Sequence, residues 1–565
     1  MKRLQHLGRN RLLLWLIASL ILSLICSLWA LSLVVNVEYA IHDDARSHIV
    51  WMFRFIDPDL FKNDIIFDYF QSVAPVGYTT FYKAFATIGI HPLTVNKLLP
   101  TLLGLITTGY CFGVCLQILP IPIAGFLSTL FLNQNLWLRD DLISATPRAF
   151  FYPFFLAFLY YLLKQSQIGI AITIVLLGVF YPQAVLLAVA VIIIQTLWKI
   201  QGDSKIKKNQ LECLFSGLII GFLILIPYAL QVSEYGSIIT LTEAKNLPEF
   251  YPGGRASFFT NNFFDFWITG DRSGFFPQEW LNKGFPPPQL FLGLLLPILL
   301  KLPIKFPLHR HITKKLLILP QLLLASIGLF TLAHLFLFKL HHPSRYSQHS
   351  LRIIFAIAAS ITVILIADKI RYIIRWKKTK IAVKFIMFCL VFLLLSYPSL
   401  LQGFPRTNYI FGKKTLLYEF FLLQPKDIRV ASFIREVNNI PAFSQRSILI
   451  GSEYFLPYHK KYYSELKQRA QDLILAQYSP NIKEVQQFIE KYNINFWMIQ
   501  PDAFSVDYVR QNNQISQLNP EAAIIVQNQL EIGIEPILST LTKNCTVLQI
   551  NDIIVLETNC ILNTR

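Results

Sequence analysis

Charged residues are scarce in this sequence of 565 residues. Only 15% of the residues are Asp, Glu, Lys or Arg, whereas 54% are hydrophobic and 14% are aromatic. Soluble domains carry about a quarter charged residues. The composition therefore excludes a nucleic-acid regulator, a cytosolic metabolic enzyme and a disordered scaffold as descriptions of the whole chain, and it indicates a polytopic membrane protein.

Several common catalytic and metal-binding motifs are also missing. The sequence has no Walker phosphate-binding loop, no Gly-x-Ser-x-Gly nucleophile elbow and no His-Glu-x-x-His zinc helix. Its seven cysteines form no Cys-x-x-Cys pair, which argues against a structural zinc site. These absences argue against P-loop, serine-hydrolase and zinc-peptidase mechanisms.

What the sequence does contain is a series of long apolar runs. A helix rises about 1.5 Å per residue, so the longest runs are sufficient to cross about 30 Å of hydrocarbon. We predict a polytopic α-helical membrane protein with about eleven transmembrane helices, of which the two that flank Pro182 could be one broken helix. The predicted spans are residues 12–35, 93–118, 121–138, 149–163, 168–181, 182–198, 211–230, 289–300, 316–338, 351–367 and 385–401.

The positive charges are unevenly distributed along the chain. Residues 1–401 hold 35 Lys or Arg and 18 Asp or Glu, whereas the remainder holds 16 and 15. If the N-terminus is cytoplasmic, the inner segments contain 21 of those 35 basic residues and only three acidic residues, of which Glu212 and Asp368 lie at segment edges. Because positive charge favours the cytoplasmic side, we expect an inner N-terminus and an outer C-terminus. The expected inner segments are residues 1–11, 164, 199–208, 301–315 and 369–384.

We divide the chain into a transmembrane helical domain, residues 1–401, and an extracytoplasmic α/β domain, residues 402–565. The first domain has large outer loops at 36–92 and 231–288. In the second domain the charges are balanced and the apolar runs shorten to strand length. On an oxidising outer side, Cys545 and Cys560 could form a disulfide.

Local patterns predict the elements of the α/β domain. Helical spacing at 430–437 and 482–492 predicts two helices. Short apolar runs predict the strands, and an Asn-Asp turn predicts that the last two form a hairpin. The predicted strands are residues 447–450, 496–499, 547–550 and 553–556.

The first outer loop carries adjacent carboxylates close to the end of the first span. Asp43 and Asp44 lie in the motif His-Asp-Asp-Ala-Arg-Ser-His, which begins at His42 and contains Arg46 and His48. Adjacent carboxylates at a membrane surface are costly unless they are solvated, paired or metal-bound. Apolar residues at helical spacing behind the motif predict an amphipathic helix along the membrane interface. These residues are Ile49, Met52, Phe53, Ile56 and Leu60.

A second acidic pair lies in the next outer loop. Asp140 and Asp141 follow Arg139 and precede Pro147 and Arg148. Both acidic pairs have a structural alternative, because an Asp pair can cap a helix or balance a nearby Arg.

Cations that could hold a phosphate occur in two further outer loops. Arg345 lies in the stretch His-His-Pro-Ser-Arg-Tyr-Ser-Gln-His, and Arg255 follows two glycines. Either arginine could instead contact lipid headgroups. His341, His342 and His349 could bind a metal, but their spacing matches no standard ligand pattern.

The motif Asp-Asp-Ala-Arg, which begins at Asp43, resembles a first-loop motif of the GT-C superfamily. It is similar to the Asp-Glu-Ala-Arg-like motif of the protein mannosyltransferase and aminoarabinose transferase branch, with Asp in place of the usual Glu. The second acidic pair and Arg148 before an aromatic span are also similar, whereas the Trp-Trp-Asp signature of oligosaccharyltransferases is missing. The resemblance implies a GT-C-like fold, an acceptor hydroxyl activated by Asp43, and Asp44 as partner or metal ligand.

We therefore expect an integral membrane glycosyltransferase, a hexosyl or pentosyl transferase of the GT-C type, in the bacterial inner membrane. It would move a sugar from a polyprenyl-phosphate donor to an outer-face acceptor, which could be a lipid, a glycan or a protein. The expected catalytic residues are Asp43 and Asp44, and the expected substrate-binding residues are Arg46, His48, Asp140, Asp141, Arg148, Arg255 and Arg345.

Membrane lipids are expected partners and nucleic acids are not. We assign no cofactor, although a divalent cation could bind the acidic pair. The alternative is a non-enzymatic protein, either a transporter or flippase for lipid-linked glycans or a structural scaffold for envelope glycans. A transporter should carry ionisable residues at mid-membrane, and charges inside the predicted spans are nearly absent.

Overall fold

The chain combines long apolar helices with a mixed sheet near its C-terminus. The computed structural model describes residues 2–202, 208–230, 232–281, 287–302, 306–374, 380–401, 403–512, 515–516 and 519–564. The predicted inner segments 199–208, 301–315 and 369–384 therefore lie partly outside the described residues.

The α-helices among the described residues are α1 Lys2–Ser32, α2 Ala45–His48, α3 Ile65–Val73, α4 Val76–Thr87, α5 Pro92–Ile118, α6 Pro122–Leu136, α7 Phe151–Lys164, α8 Gln167–Phe180, α9 Gln183–Gly202, α10 Lys208–Leu230, α11 Leu241–Ala244, α12 Gln278–Leu281, α13 Pro288–Phe291, α14 Leu296–Leu300, α15 Ile318–Leu335, α16 Ser344–Ile374, α17 Lys380–Ser396, α18 Thr415–Leu422, α19 Ile440–Ser444, α20 Lys460–Gln477, α21 Ile482–Tyr492, α22 Val506–Gln511, α23 Pro520–Glu531, α24 Ile537–Cys545 and α25 Thr558–Leu562. The strands are β1 Ala40–His42, β2 Tyr409–Phe411, β3 Arg429–Ser432, β4 Ser447–Ile448, β5 Phe496–Ile499, β6 Thr546–Ile550 and β7 Ile553–Glu557.

Four helical segments among the described residues are long and apolar enough to cross a membrane. They are Arg9–Ser32, Pro92–Ile118, Lys314–Leu335 and Ser344–Ile370. Shorter apolar segments are Gln167–Phe180, Gln183–Lys199, Leu214–Leu230 and Pro288–Leu300. These helices are those of a membrane protein, and the total of about eleven spans stays a prediction.

Some predicted spans differ in detail from the helices of the structure. Spans 121–138 and 149–163 correspond to α6 and α7, with 15 and 14 residues. At about 1.5 Å per residue, each is shorter than the hydrocarbon layer. The residues that flank Pro182 form two separate helices, α8 and α9, because proline provides no backbone N–H to continue a helix.

The helices pack around two central elements. α5 packs against α1, α6 and α7, whereas α16 packs against α6 and α15. The side chains of α16 between Leu351 and Thr362 are almost all buried. α16 is therefore a central helix of the bundle, and its N-terminal end lies beside the second acidic pair.

The last third of the chain contains a five-stranded sheet in the order β4-β3-β5-β7-β6. β3 is parallel to β4 and β5, whereas β7 is antiparallel to β5 and β6. The predicted strands, the helix at 482–492 and the β6–β7 hairpin are confirmed. Asn551 in the hairpin turn has φ 43°, as a two-residue turn requires. The predicted disulfide is also confirmed and joins Cys545 to Cys560.

The predicted helix at 430–437 is wrong in its first half, because Arg429–Ser432 is strand β3. Val430 and Ala431 are fully buried between two neighbouring strands. A short apolar run is compatible with either a buried strand or a buried helix, and periodicity alone does not separate the two.

The predicted surface helix behind Asp44 is also wrong. The chain forms the short helix α2 and then the 3-10 helix Val50–Phe55. Val50, Trp51, Met52 and Phe53 are at most 1% exposed, because α3, α4 and α5 pack against this segment. Local spacing identified one apolar face, but only the fold shows that other elements cover the remaining faces.

The sheet region and the first outer loop are connected. β1 pairs with β2 in antiparallel register, and Tyr69 of α3 stacks on Tyr462 of α20 at 3.7 Å between ring centroids. A single cluster of buried apolar side chains extends from the first loop through the sheet. The domain boundary at residue 402 stays a prediction.

Candidate active site

The first acidic pair is held at the end of a short strand. Asp43 and Asp44 follow β1, and the Asp43 N–H donates to the Asn408 carbonyl oxygen at 3.1 Å. The Asp44 N–H donates to Nδ1 of the buried His42 at 3.1 Å. The strand pair thus fixes the backbone from which both carboxylates extend.

Arg148 joins the two acidic pairs. It lies in the 3-10 helix Pro147–Phe150 that precedes α7. Its Nη2 is 2.5 Å from Asp44 Oδ2 and 3.0 Å from Asp140 Oδ2, and its Nε is 3.5 Å from Asp141 Oδ1. One guanidinium therefore compensates three carboxylates from two loops.

Asp43 faces a second group of ion pairs. Arg46 pairs with Asp43, and its Nη2 is 2.8 Å from Glu453 Oε2. The other Glu453 oxygen pairs with Arg255 of the second large loop. The Glu453 side chain is 6% exposed whereas the Asp43 side chain is 37% exposed. Of these two acids, Asp43 is the one that solvent or a substrate can reach.

Asp141 contacts the N-terminal end of α16. Its Oδ1 is 3.6 Å from Arg345 Nη1, and its Oδ2 is 3.4 Å from His349 Nδ1 and 3.5 Å from Arg352 Nη1. Arg352 also pairs with Glu279. This buried network holds the N-terminal end of α16 beside the second acidic pair.

The neighbouring charges determine which groups are ionised. Burial alone would raise the pKa of Asp44, but Arg148, His42 and His48 outweigh it, so that the pKa lies well below its ordinary value. Burial lowers the pKa of His48 to about 4. Burial raises the pKa of Glu453 to about 7, against the opposing effect of Arg255 and Arg46. At neutral pH the site thus holds an ionised Asp44 beside a neutral His48.

Comparison with known proteins identifies the fold. No protein-family model matches the sequence, and no curated protein matches it. The apo form of the Archaeoglobus fulgidus oligosaccharyltransferase is 10% identical with a TM-score of 0.53, over 91% of this chain and 72% of that chain. The archaeal oligosaccharyltransferase AglB from Archaeoglobus fulgidus, in complex with an inhibitory peptide and a dolichol-phosphate, is 10% identical with a TM-score of 0.52 over the same shares. This chain has the GT-C fold.

The GT-C fold was expected from the first-loop motif, and that expectation is confirmed. The similarity shows the fold alone, so that the superfamily and the branch within it stay predictions. Both similar structures are oligosaccharyltransferases, whereas the motif resembles another branch and the Trp-Trp-Asp signature is missing from this sequence.

The GT-C fold brings the predicted site residues together. Four of them are joined directly or indirectly through Arg148. Three others are joined through Glu453, which pairs with two arginines, one of which also pairs with Asp43. His48 is close enough to Asp44 for their charges to interact. Their roles in a reaction stay predictions. The first group is Asp44, Asp140, Asp141 and Arg345, and the second is Asp43, Arg46 and Arg255.

Sequence reasoning missed several charged members of the site. Glu453 lies in a loop of the sheet region with no local motif, so no sequence signal could have found it. Arg352 could have been found, because a charged residue just inside the predicted span 351–367 indicates a paired or functional position. Its side chain is 1% exposed, and a charge buried in an apolar helix requires a partner.

The residues present do not fit a metal centre. Within the described part of the chain, no group of three His, Cys, Asp or Glu side chains is placed to hold a metal ion. His341 and His342 lie side by side, with ring centroids 4.7 Å apart, but His349 contacts Tyr152 and Asp141 instead. The carboxylates of the two acidic pairs are engaged by guanidinium groups.

Proposed function

We propose that this chain is a membrane glycosyltransferase that transfers a sugar from a polyprenyl-phosphate donor to a hydroxyl-bearing acceptor at the outer face of the membrane. The observation that carries the proposal is a partly exposed carboxylate, Asp43, at the edge of a cluster of arginines within a GT-C fold. Glycosyl transfer needs a base for the acceptor proton and cations for the leaving phosphate.

Asp43 is suited to the role of base. Its side chain is more exposed than those of Asp44, Asp140 and Asp141, which are 26%, 12% and 2% exposed. The other three carboxylates share Arg148 inside the cluster, whereas Asp43 pairs with Arg46 at its edge. Asp43 is therefore the acid that an acceptor hydroxyl can approach.

Arg345 is suited to bind the phosphate of the donor. It borders a shallow recess in which apolar and aromatic side chains predominate. A cation beside an apolar recess matches a phosphate attached to a hydrocarbon chain. A similar structure, AglB, was solved with a dolichol-phosphate, which supports a lipid phosphate as partner. The recess is lined by Phe151, Tyr181, Gln183, Ala184, Leu187, Arg345 and Tyr346.

The proposed reaction is a single displacement. The acceptor O–H gives its proton to Asp43, and its oxygen bonds to the anomeric carbon of the sugar. The bond between that carbon and the phosphate oxygen breaks, and the electron pair leaves on the polyprenyl phosphate. In this proposal, Arg345 holds the donor phosphate on which that electron pair leaves.

A transporter is less consistent with the structure. The ionisable side chains gather at one end of the bundle, around the loops before α7 and α16, and they are joined to the sheet region through Glu453. A conduction path would place such residues along the spans.

Replacing the proposed phosphate-binding arginine tests the donor. In membranes that contain the Arg345→Ala variant, we expect the KM for a radiolabelled polyprenyl-phosphate sugar to rise about tenfold or more, because a hydrogen bond to a charged group contributes about 1.5–3 kcal/mol. The turnover number should change less, since Asp43 is intact. Arg435→Ala, at an exposed position, is the matched control. An unchanged KM, with normal transfer, would remove Arg345 from the donor site.

We also propose an inner N-terminus and an outer C-terminus in the bacterial inner membrane, on the basis of the charge asymmetry. Alkaline phosphatase folds into an active enzyme only outside the cytoplasm. A fusion after Arg565 should therefore be active, and a fusion after Gly202, at the end of α9, should be inactive. The reverse pattern would overturn the orientation and place the acidic pairs on the cytoplasmic side.

A further inference from the structure

Three large aromatic side chains are exposed in the second large outer loop. Phe263 is 72% exposed, Phe264 is 51% exposed and Trp267 is 38% exposed. Burying a side chain of this size is favourable by about 1.5–3 kcal/mol, so a cluster of exposed rings indicates a surface that contacts another apolar phase. We call Phe263, Phe264 and Trp267 the aromatic tip.

The aromatic tip is held in place by hydrogen bonds and ring contacts. The Asn262 side-chain oxygen accepts from the N–H groups of Phe264 and Asp265, at 2.9 and 3.2 Å. The Trp267 carbonyl accepts from the Phe275 N–H at 2.9 Å. The Trp267 ring lies 4.6 Å from the His334 ring of α15. The tip is therefore a fixed projection that rests on the end of α15.

The surface of α15 carries a stripe of exposed apolar side chains that reaches the helix end on which the tip rests. Leu324, Ile327 and Leu335 recur at helical spacing on α15 and are 45%, 42% and 69% exposed. Phe336 follows at 54% exposure. Since α15 belongs to a segment able to cross the membrane, this stripe faces lipid. The aromatic tip lies beside the end of this stripe, because Trp267 contacts His334, the residue before Leu335.

We propose that the aromatic tip inserts into the headgroup region of the outer leaflet. The partner is the bilayer because the tip rests on the end of α15, next to the exposed Leu335 and Phe336, and because aromatic rings concentrate at the membrane–water boundary. Asp265 is the one charged residue in the stretch 261–269, and the exposed Lys339 follows shortly after Phe336, where its ammonium can reach lipid phosphates. This inference does not depend on glycosyl transfer.

Membrane anchoring of the tip would set the depth of the candidate site. Asp271, four residues after Trp267, pairs with Arg139 beside the second acidic pair. Arg272 donates hydrogen bonds to the carbonyl oxygens of Ser257 and Arg255 at 3.0 and 3.1 Å. The loop that carries the tip thus also carries Arg255, so that the bilayer surface and the ion pairs are held in a fixed relation.

Fluorescence quenching in a bilayer tests the proposal. The full chain would carry Phe263→Cys, with the exposed Cys389 and also Cys213 replaced by Ser, and would be labelled with a nitrobenzoxadiazole probe. It would be reconstituted in vesicles of phosphatidylethanolamine and phosphatidylglycerol. Nitroxide-bearing lipids with the nitroxide near the headgroup should quench the probe about twofold or more, because the tip lies at that depth. A nitroxide deep in the acyl chain should quench it less.

The control is Ser464→Cys, at an exposed position on α20, where the lipid nitroxides should leave the probe unquenched. Phe264→Cys provides a second position on the tip and should behave like Phe263→Cys. Quenching at both tip positions no greater than at Ser464 would overturn the proposal. A probe that is shielded from iodide in water but not quenched by lipid would also overturn it, because the tip would then be covered by protein.

Discussion

Asp43→Asn is expected to lose glycosyl transfer while the protein remains folded. The substitution keeps the volume of the side chain and much of its hydrogen bonding but removes its basicity. Removal of a general base typically costs about 10²–10⁴ in rate. The Asp43 side chain is 37% exposed, and Arg46 keeps its ion pair with Glu453 at 2.8 Å, so the loss of the Asp43 charge should change the free energy of unfolding by about 1 kcal/mol or less. Activity and stability should therefore separate.

The measurement is the loss of radiolabelled sugar from polyprenyl-phosphate donors in membranes that contain equal amounts of each variant. Asp59→Asn is a matched control, because Asp59 lies in the same outer loop and forms an exposed ion pair with Lys62. The control should transfer sugar like the wild type. Wild-type transfer by Asp43→Asn at normal protein level would leave the acidic pair as a structural feature of the loop.

Arg148→Met is expected to have the largest effect on stability. The substitution leaves Asp44, Asp140 and Asp141 close together without the cation that they share. Removal of one partner from a buried ion pair typically costs about 3–5 kcal/mol, because a charge remains buried without compensation. The Arg148 side chain is 14% exposed, so water cannot replace the guanidinium. We expect a loss of that size in the free energy of unfolding.

Unfolding of the purified full chain in detergent, followed by the fluorescence of its tryptophans, measures this change. Arg510→Met is the matched control, since Arg510 is 53% exposed and its ion pair with Glu531 lies at the surface. Water screens such pairs, so the control should change stability far less. If the two variants lost equal stability, the shared guanidinium would not be what holds the two acidic pairs together.

Local patterns predicted many elements of the sheet region. The hairpin of β6 and β7 follows from two short apolar runs around an Asn-Asp turn, and α21 follows from helical spacing. Local patterns failed at Val430 and at Met52, where the neighbours that cover a segment determine its structure. At such positions tertiary packing outweighs the local secondary-structure propensity, because a short apolar run is compatible with either a buried strand or a buried helix.

The candidate site also combines residues that local patterns reveal with contacts that only the packing of the chain reveals. The two acidic pairs are visible as local clusters of charge, so Asp43 and Asp141 could be singled out separately. Nothing local reveals that Arg148 joins them, or that Glu453 reaches Arg46 from 407 residues away. An ion pair between distant positions depends on how the intervening helices pack.

The sequence by itself determined that the chain is a membrane protein. It predicted which side of the membrane each loop faces and which acids and arginines belong to the candidate site. These properties follow from hydrophobicity and charge summed over short windows, and the solvation of a segment depends mainly on its own side chains. Only the tertiary structure decided that three of the acids share one guanidinium, that Asp43 is the most exposed of the four carboxylates, and that the aromatic tip packs on the end of α15. Burial and pairing are properties of positions in space, and residues hundreds of positions apart become neighbours only when the helices pack.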